Sequence, residues 1–357
     1  MPEGGAPRAL SVEPLAARAR RRASASESEV SMEKPCYTTR RALTSAVHSV
    51  TLRRMKTLIA FCLLGAAIAP AAELKSGPPM PYTVVAGWPT VPQGWTFGAC
   101  STVTVDKQDH VWIFSRGAHP VSEFDRDGKL LRSWGEGGIR SAHGIRIDAD
   151  GNVWGVDVTG HVVRKYTPEG RVLMVVGQEG KPGNNDSHDA FNRPTNVAFA
   201  PNGDFYVSDG YVNSRVVRFN KDGKYIGQWG HKGTGDGEFD LVHDIVLDKQ
   251  NRLLVAERTN ERIQIFDLEG KLLGKWTGMG APWSLFYVAR EDAVYMADGV
   301  NMRVVKLNMN GDVVGTLGGP GKGPGQFDQP HGIAVDSTGA IYVAEVGNQR
   351  VQKFVKP

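Results

Sequence analysis

The sequence predicts an all-β protein folded as a six-bladed β-propeller, on three observations. Glycine makes up 43 of 357 residues, about 12% against a typical ~7%, as expected of a chain that turns often. One pattern of short strands recurs six times, starting at Ser101, His143, Thr195, His243, Trp283 and His331. The intervals of 42, 52, 48, 40 and 48 residues between these starts suit a four-stranded unit repeated around a ring.

Within each copy the elements follow in order. A first strand such as His143–Asp148 (HGIRID) or His331–Asp336 (HGIAVD) ends in a polar turn, for example Asp150-Gly-Asn152. A second strand follows, such as Val153–Val156 (VWGV), Phe205–Ser208 (FYVS) or Ile341–Ala344 (IYVA). Third strands read Arg215–Phe219 (RVVRF), Arg262–Phe266 (RIQIF) and Arg350–Phe354 (RVQKF), and a fourth is exemplified by Tyr225–Trp229 (YIGQW). Apolar–polar alternation bounded by Gly, Asn and Asp is the signature of half-buried strands. The last copy stops at Pro357 before a fourth strand, and Tyr82–Ala86 is placed to supply it. Closing the ring in this way removes an exposed edge, and the propeller spans residues 80–357.

The first 54 residues stand apart. They hold ten Arg/Lys and five Glu in a Ser/Arg/Ala-rich, aperiodic stretch that cannot build a core, so they read as a disordered basic extension. Met55-Lys56, the apolar run Leu58–Ala69 and the small residues Ala71-Ala72 form a signal-peptide pattern over 55–72, which makes Met55 the expected start. A genuine tail with a membrane anchor is the alternative. The run is shorter than the ~20 residues a bilayer span needs, so the expectation is a secreted or periplasmic protein with no stable anchor after cleavage. Residues 55–357 carry 32 basic and 33 acidic side chains. That balance excludes a general nucleic-acid binder, which needs a basic face. Only Cys100 follows the cleavage site, so neither an internal disulfide nor a cysteine-based zinc site is available to the mature chain. A closed ring of this kind is expected to act as a monomer.

The first position of the repeat carries histidine in copies two, four and six and in no others: His143, His243 and His331. Alternate blades of a six-fold ring lie about 120° apart at equal depth, so three imidazoles would converge. Three histidines with an open fourth position is a catalytic zinc arrangement; the alternative is that histidine merely suits a turn leading into a strand. A second column, at the end of the second strands, holds Arg116, Arg258 and, one residue further along, Tyr211, where other copies have Val158, Gly299 and Val346. Two guanidinium forks and a phenol beside a metal suggest carboxylate binding and proton transfer. The alternative pairs the arginines with Glu257 or Asp209 in rim ion pairs. Arg215, Arg262 and Arg350 recur with the repeat and read as structural. HExxH, CxxC, GxSxG and GxxxxGK[ST] patterns are all missing.

The blades resemble NHL repeats. Over residues 95–357 the chain resembles the peptidyl-α-hydroxyglycine α-amidating lyases, through Ile113–Gly117 (IFSRG), Ala142–Asp148 (AHGIRID), Ser208–Arg215 (SDGYVNSR), Val242–Ile245 (VHDI), Ala256–Arg258 (AER) and Gln329–Ile333 (QPHGI). The resemblance implies zinc on His143, His243 and His331, a catalytic Tyr211, and Arg116 and Arg258 in the active site. It also implies a calcium ion held by the carbonyls of Val103 and Ile145 and by an aspartate, but that last position is Gly332. The implied substrate is a small molecule or peptide ending in an α-hydroxyglycine carboxylate, cleaved to an amide and glyoxylate. The alternatives are a non-catalytic propeller acting as a binding platform, and a lactonase-like hydrolase, which would want carboxylate ligands at the axis.

Overall fold

Alternating sequences punctuated by Asp-Gly and Asn-Gly turns produce a regular all-β architecture in the computed structural model, which describes residues 74–357. The basic extension and the signal segment lie outside the described residues. Twenty-four strands form six four-stranded antiparallel sheets. Five sheets are consecutive meanders, and the sixth joins the last three strands to Thr83–Val84, which pairs with Arg350–Val355 in the register Thr83↔Val355 and Val84↔Phe354. Thr83–Val84 therefore closes the ring as the outermost strand of the sixth sheet, covering part of the edge of Arg350–Val355.

The blades are numbered one to six by their inner strands: Cys100–Val105, Ala142–Ile147, Pro194–Phe199, Val242–Leu247, Pro282–Val288 and Pro330–Val335. Neighbouring inner strands pack side by side around the axis, and the circle closes between blades six and one. The core is divided accordingly. A separate apolar cluster fills each junction, such as Trp112, Phe114, Ile145 and Tyr166 between blades one and two, or Leu254, Ile263, Leu285 and Met296 between four and five. Each fully buried large apolar side chain contributes about 1.5–3 kcal/mol, so stability is spread around the ring.

A polar clasp recurs where second and third strands meet. Asp209 pairs with Arg215 at 2.9 Å, Glu257 with Arg262 at 2.5 Å, Asp298 with Arg303 at 3.1 Å and Glu345 with Arg350 at 2.7 Å. The same carboxylates accept backbone N–H groups from the loop before the inner strand, as from Asn192, Asp240, Ala281 and Asp328. These buried charges are satisfied on several sides, the condition under which a buried pair is tolerated, and they fix the height at which each inner strand begins.

Each inner strand then slips against its neighbour at one place. The residues passed over in the pairing are Ser101, His143 with Gly144, Thr195, His243, Trp283 and His331. An extra residue in one strand is a β-bulge, which re-aims its side chain. The first position of the repeat is thus a bulge in all six blades.

Candidate metal centre

The bulges turn three imidazoles toward one point. The ring centroids of His143, His243 and His331 are 4.8, 4.9 and 4.8 Å apart, nearly an equilateral triangle. Their candidate ligand atoms all lie within 4.8 Å of one another. The orientation of each ring is set by a backbone carbonyl. The Nδ1–H of His143 donates to Thr195 O at 2.7 Å, that of His243 to Trp283 O at 2.5 Å, and that of His331 to Ser101 O at 2.7 Å. Each acceptor is the bulge residue of the next blade. A ring nitrogen facing a carbonyl must carry the proton, so Nε2 keeps its lone pair for the axis.

The three rings are at most 2% exposed. Burial, then the charge of Arg116, pushes His143 down to about 3. Burial first, and the neighbouring histidines next, hold His243 well below its ordinary value; His331 is lowered by burial, His143, Arg116 and Arg258. All three are neutral at pH 7, the form that binds a cation. Three neutral imidazole nitrogens converging at one buried point fit a borderline-soft divalent ion such as zinc. Asp106, His110 and Glu123 form a second grouping on the outer part of blade one. There Asp106 caps the N–H groups of Gln108 and His110, and Glu123 is ion-paired with Arg132 at 2.5 Å, so these groups already have work.

Tyr211 belongs to the same point. Its hydroxyl lies 3.0 Å from His143 Nε2 and 3.1 Å from His243 Nε2. Blade three has one more residue between its clasp carboxylate and arginine than blades four, five and six, and that residue is Gly210. A Cβ on Gly210 would meet the Val242 carbonyl oxygen at 1.8 Å. Only glycine lets the chain pass this close to blade four and carry Tyr211 to the axis. The main chain of the second column is held by residues two places before the bulge. The N–H groups of Tyr211, Arg258 and Val346 donate to the carbonyls of Arg193, Leu241 and Gln329. Those three have φ of 61°, 58° and 53°, a left-handed conformation uncommon for such residues and frequent beside functional sites.

Arg258 lies over the indole of Trp283, with Cζ 4.0 Å from the ring centroid. Arg116 donates from Nε to Ala142 O at 3.1 Å, one residue before His143. The field of Arg116 reaches His143 and His331, and that of Arg258 reaches all three rings. Glu257 and Asp209 are engaged in the clasps with Arg262 and Arg215, as the repeat suggested for those third-strand arginines.

The calcium set does not fit. A Cβ on Gly332 would meet Thr102 Cα at 2.5 Å, so an aspartate side chain has no room there. The cation beside the Ile145 carbonyl is instead a guanidinium: Arg146 donates to Ile145 O at 3.3 Å, to both Asp244 oxygens at 2.8 and 3.0 Å, and to Leu285 O at 3.1 Å. Asp244 also accepts from Asn196 at 2.6 Å and Ser284 at 2.9 Å, so blades two to five are tied together by one buried charge pair. Val103 is a fully buried core residue of blade one. Arg146 and Asp244 stand outside the two columns that the repeat singles out, and a charged residue inside an apolar inner strand was the signal available for them. The role of the Ser101, Thr195 and Trp283 carbonyls emerges only with the bulge.

Fold and site together define a six-bladed propeller with a three-histidine axial centre. The NHL repeat family matches residues 327–354, and a family described as a 6-bladed beta-propeller matches residues 188–278. Human NHL repeat-containing protein 3 is 33% identical over 299 residues, covering 77% of this chain and 84% of that protein. The chain belongs to the NHL-repeat propeller family. Peptidyl-alpha-hydroxyglycine alpha-amidating lyase 1 of Drosophila melanogaster is 31% identical over 259 residues, covering 64% of this chain and 47% of the fly protein. Peptidyl-glycine alpha-amidating monooxygenase B of Xenopus laevis is 32% identical over 311 residues, covering 75% of this chain but 35% of the frog protein. The likeness to amidating lyases seen in the motifs therefore extends along the chain, which spans a third to a half of the length of those two relatives.

Proposed function

We propose that the protein is a zinc-dependent lyase that cleaves the C–N bond of an N-acyl- or peptidyl-α-hydroxyglycine, releasing an amide and glyoxylate. The observation that carries this is the convergence of three carbonyl-oriented imidazoles with the Tyr211 hydroxyl, 3.0 and 3.1 Å from two of their Nε2 atoms. His143, His243 and His331 would hold the ion, whose Lewis acidity lowers the pKa of a substrate hydroxyl. The remaining chemistry belongs to the chain. Tyr211 accepts the hydroxyl proton at its phenolic oxygen, acting as the general base. The electron pair of the substrate oxygen forms the aldehyde C=O as the C–N bond breaks. The proton held on Tyr211 passes to the departing amide nitrogen, so no water or oxidant is consumed. The two guanidinium groups provide paired donors for the substrate carboxylate and for charge developing beside it.

The protein would act outside the cytosol, secreted or periplasmic, as a monomer on a small-molecule or peptide substrate. The test is glyoxylate release from N-acetyl-α-hydroxyglycine by the purified protein, before and after chelation, with zinc measured in the same sample. Zinc-dependent release supports the lyase. A well-folded zinc protein inactive on several acyl groups would favour a binding platform, the reading left open by the 33%-identical NHL repeat-containing protein 3.

A further inference from the structure

We infer that the rim between blades two and three is a subsite for an acidic side chain in the acyl or peptide part of the ligand, with Arg193 and Arg140 as its cations. The inference rests on the glycine-ended ligand of the preceding section. Arg193 stands just before the inner strand of blade three, two places ahead of the bulge at Thr195, and its carbonyl accepts the Tyr211 N–H at 3.3 Å. Its main chain therefore borders the metal centre. Its own N–H donates to His161 Nδ1 at 3.1 Å, in the turn between the second and third strands of blade two. A ring nitrogen that accepts is unprotonated, so His161 is neutral in this arrangement. Burial first, then the charge of Arg193, hold its pKa below the ordinary value, and the charge of Arg140 acts in the same direction. Both guanidinium groups thus lie close enough to bear on one ring.

The carboxylates nearby are already engaged. Asp209 and Asp157 are buried. Asp209 is held by Arg215 at 2.9 Å and Asn213 at 2.7 Å, while Asp157 accepts the N–H groups of Arg140, Ser141 and Gly160. Glu179 pairs with Arg164 at 2.7 Å and stands 4.0 Å from Arg140 Nε. The half-buried Arg193 has no ion-pair or hydrogen-bond partner for its guanidinium among the described residues. The connection 178–193 forms the outer wall of this sector. Its Gly180 N–H donates to Gly160 O at 2.9 Å, and a Cβ on Gly180 would come within 3.3 Å of Arg140 Nη1, so a bare glycine lets that guanidinium lie against the loop. A ligand anchored at the axis by its glycine end extends outward over the rim. In this sector, beside Tyr211, it meets two planar forks suited to a carboxylate.

The experiment measures binding of two unreactive peptides, N-acetyl-glutamyl-glycine and N-acetyl-glutaminyl-glycine, which share a shape and differ in side-chain charge. Full-length parent, Arg193→Gln, Arg140→Gln and the double variant are compared at low and high salt, with zinc content and thermal unfolding as controls. Glutamine suits the Arg193 backbone, because Gln329 holds the equivalent place in blade six at φ 53°. Each guanidinium should be worth about 2–5-fold, so the parent should prefer the glutamyl peptide about 4–25-fold. Each single variant should lose its share of that preference, and the double variant or high salt should remove it. The glutaminyl peptide should bind all forms alike. Equal binding of the two peptides by the parent, binding of neither, or a preference that survives in the double variant would overturn the inference. Weaker binding of both peptides by the variants would overturn it too, placing the arginines at the glycine carboxylate. Failure of glyoxylate release, with the charge preference and its dependence on the arginines intact, would overturn the lyase and leave the subsite standing.

Discussion

Tyr211→Phe removes one oxygen and little else. The ring sits edge-on to His143 at 5.2 Å and 84°, and to His243 at 5.6 Å and 72°, and phenylalanine can keep both contacts. The hydroxyl lies 3.0 and 3.1 Å from two Nε2 atoms, and losing contacts of this kind costs stability about 0.5–1.5 kcal/mol. For a propeller of this size that is a melting-point change of about 1–3 °C. A positioned proton-transfer group is worth ~10²–10⁴-fold in rate, or ~3–5 kcal/mol of barrier. The two effects are separable: kcat for glyoxylate release should fall by that factor while zinc content and unfolding change little. Gly210→Ala is the companion. It retains the phenol but forces a Cβ against the Val242 carbonyl, so activity should fall with Tyr211 still present. Turnover by the Phe variant within about threefold of the parent would remove Tyr211 from the chemistry. Loss of zinc along with activity would recast it as a support for the histidines.

Other outcomes follow from the same geometry. His243→Ala leaves two imidazoles, too few to hold zinc firmly; elemental analysis should show bound zinc falling from about one per chain to a small fraction, with the propeller still folded. In metal-free protein the folded-state pKa of His143 is near 3 against an ordinary 6.5. The unfolded chain therefore binds protons first as pH falls below 6.5, and stability should drop, with His143 contributing up to ~1.4 kcal/mol per pH unit until about pH 3, read by urea titration. Arg146→Ala strands the buried Asp244 carboxylate and should cost about 3–5 kcal/mol. Added calcium or its selective chelation should leave the parent's unfolding midpoint unchanged, and a calcium-dependent rise would contradict the assignment of that place to a guanidinium. N-terminal sequencing of native protein should begin near Ala72 or Glu73, whereas peptides from Arg18–Glu29 in cells would show that the extension is retained.

The ring and its closure were legible because both depend on local patterning. Alternation, turn residues and a repeat of near-constant length determine strands, and the missing fourth strand of the last copy pointed to the N-terminal segment. The histidine column was legible for the same reason, since equivalent positions in a repeat share a depth. Bulges were not legible. A one-residue slip depends on pairing with another strand, and nothing in HGIAVD distinguishes a histidine passed over by the ladder from one within it. The extra residue Gly210 was visible only as Tyr211 standing one place late. Its cause, the approach to Val242 of blade four, is a contact between segments distant in sequence. Arg146 and Asp244 were missed for a similar reason: 98 residues separate them, and each looks like an ordinary strand residue until the axis brings them together.

The alternation of histidines around the ring has a physical basis. All six blades carry the bulge at the same position, yet a side-chain triangle with centroids 4.8–4.9 Å apart already occupies the centre. Six imidazoles at this depth would crowd one another and multiply the desolvation that already depresses three. The odd-numbered blades therefore take other roles. Ser101 and Thr195 turn their hydroxyls away to the carbonyls of Phe114 and Ser208, keeping their own carbonyls for His331 and His143. Blade five does the same with its carbonyl but spends its side chain on an indole beneath Arg258. A six-fold backbone is thus converted into a three-fold ligand set by the choice of side chain at equivalent bulges. The fold's symmetry is broken on the odd-numbered blades as well, where Tyr211, Trp283 and Arg116 stand on blades three, five and one. That asymmetry would give the proposed substrate, with its distinct carboxylate and amide ends, a single direction in which to lie.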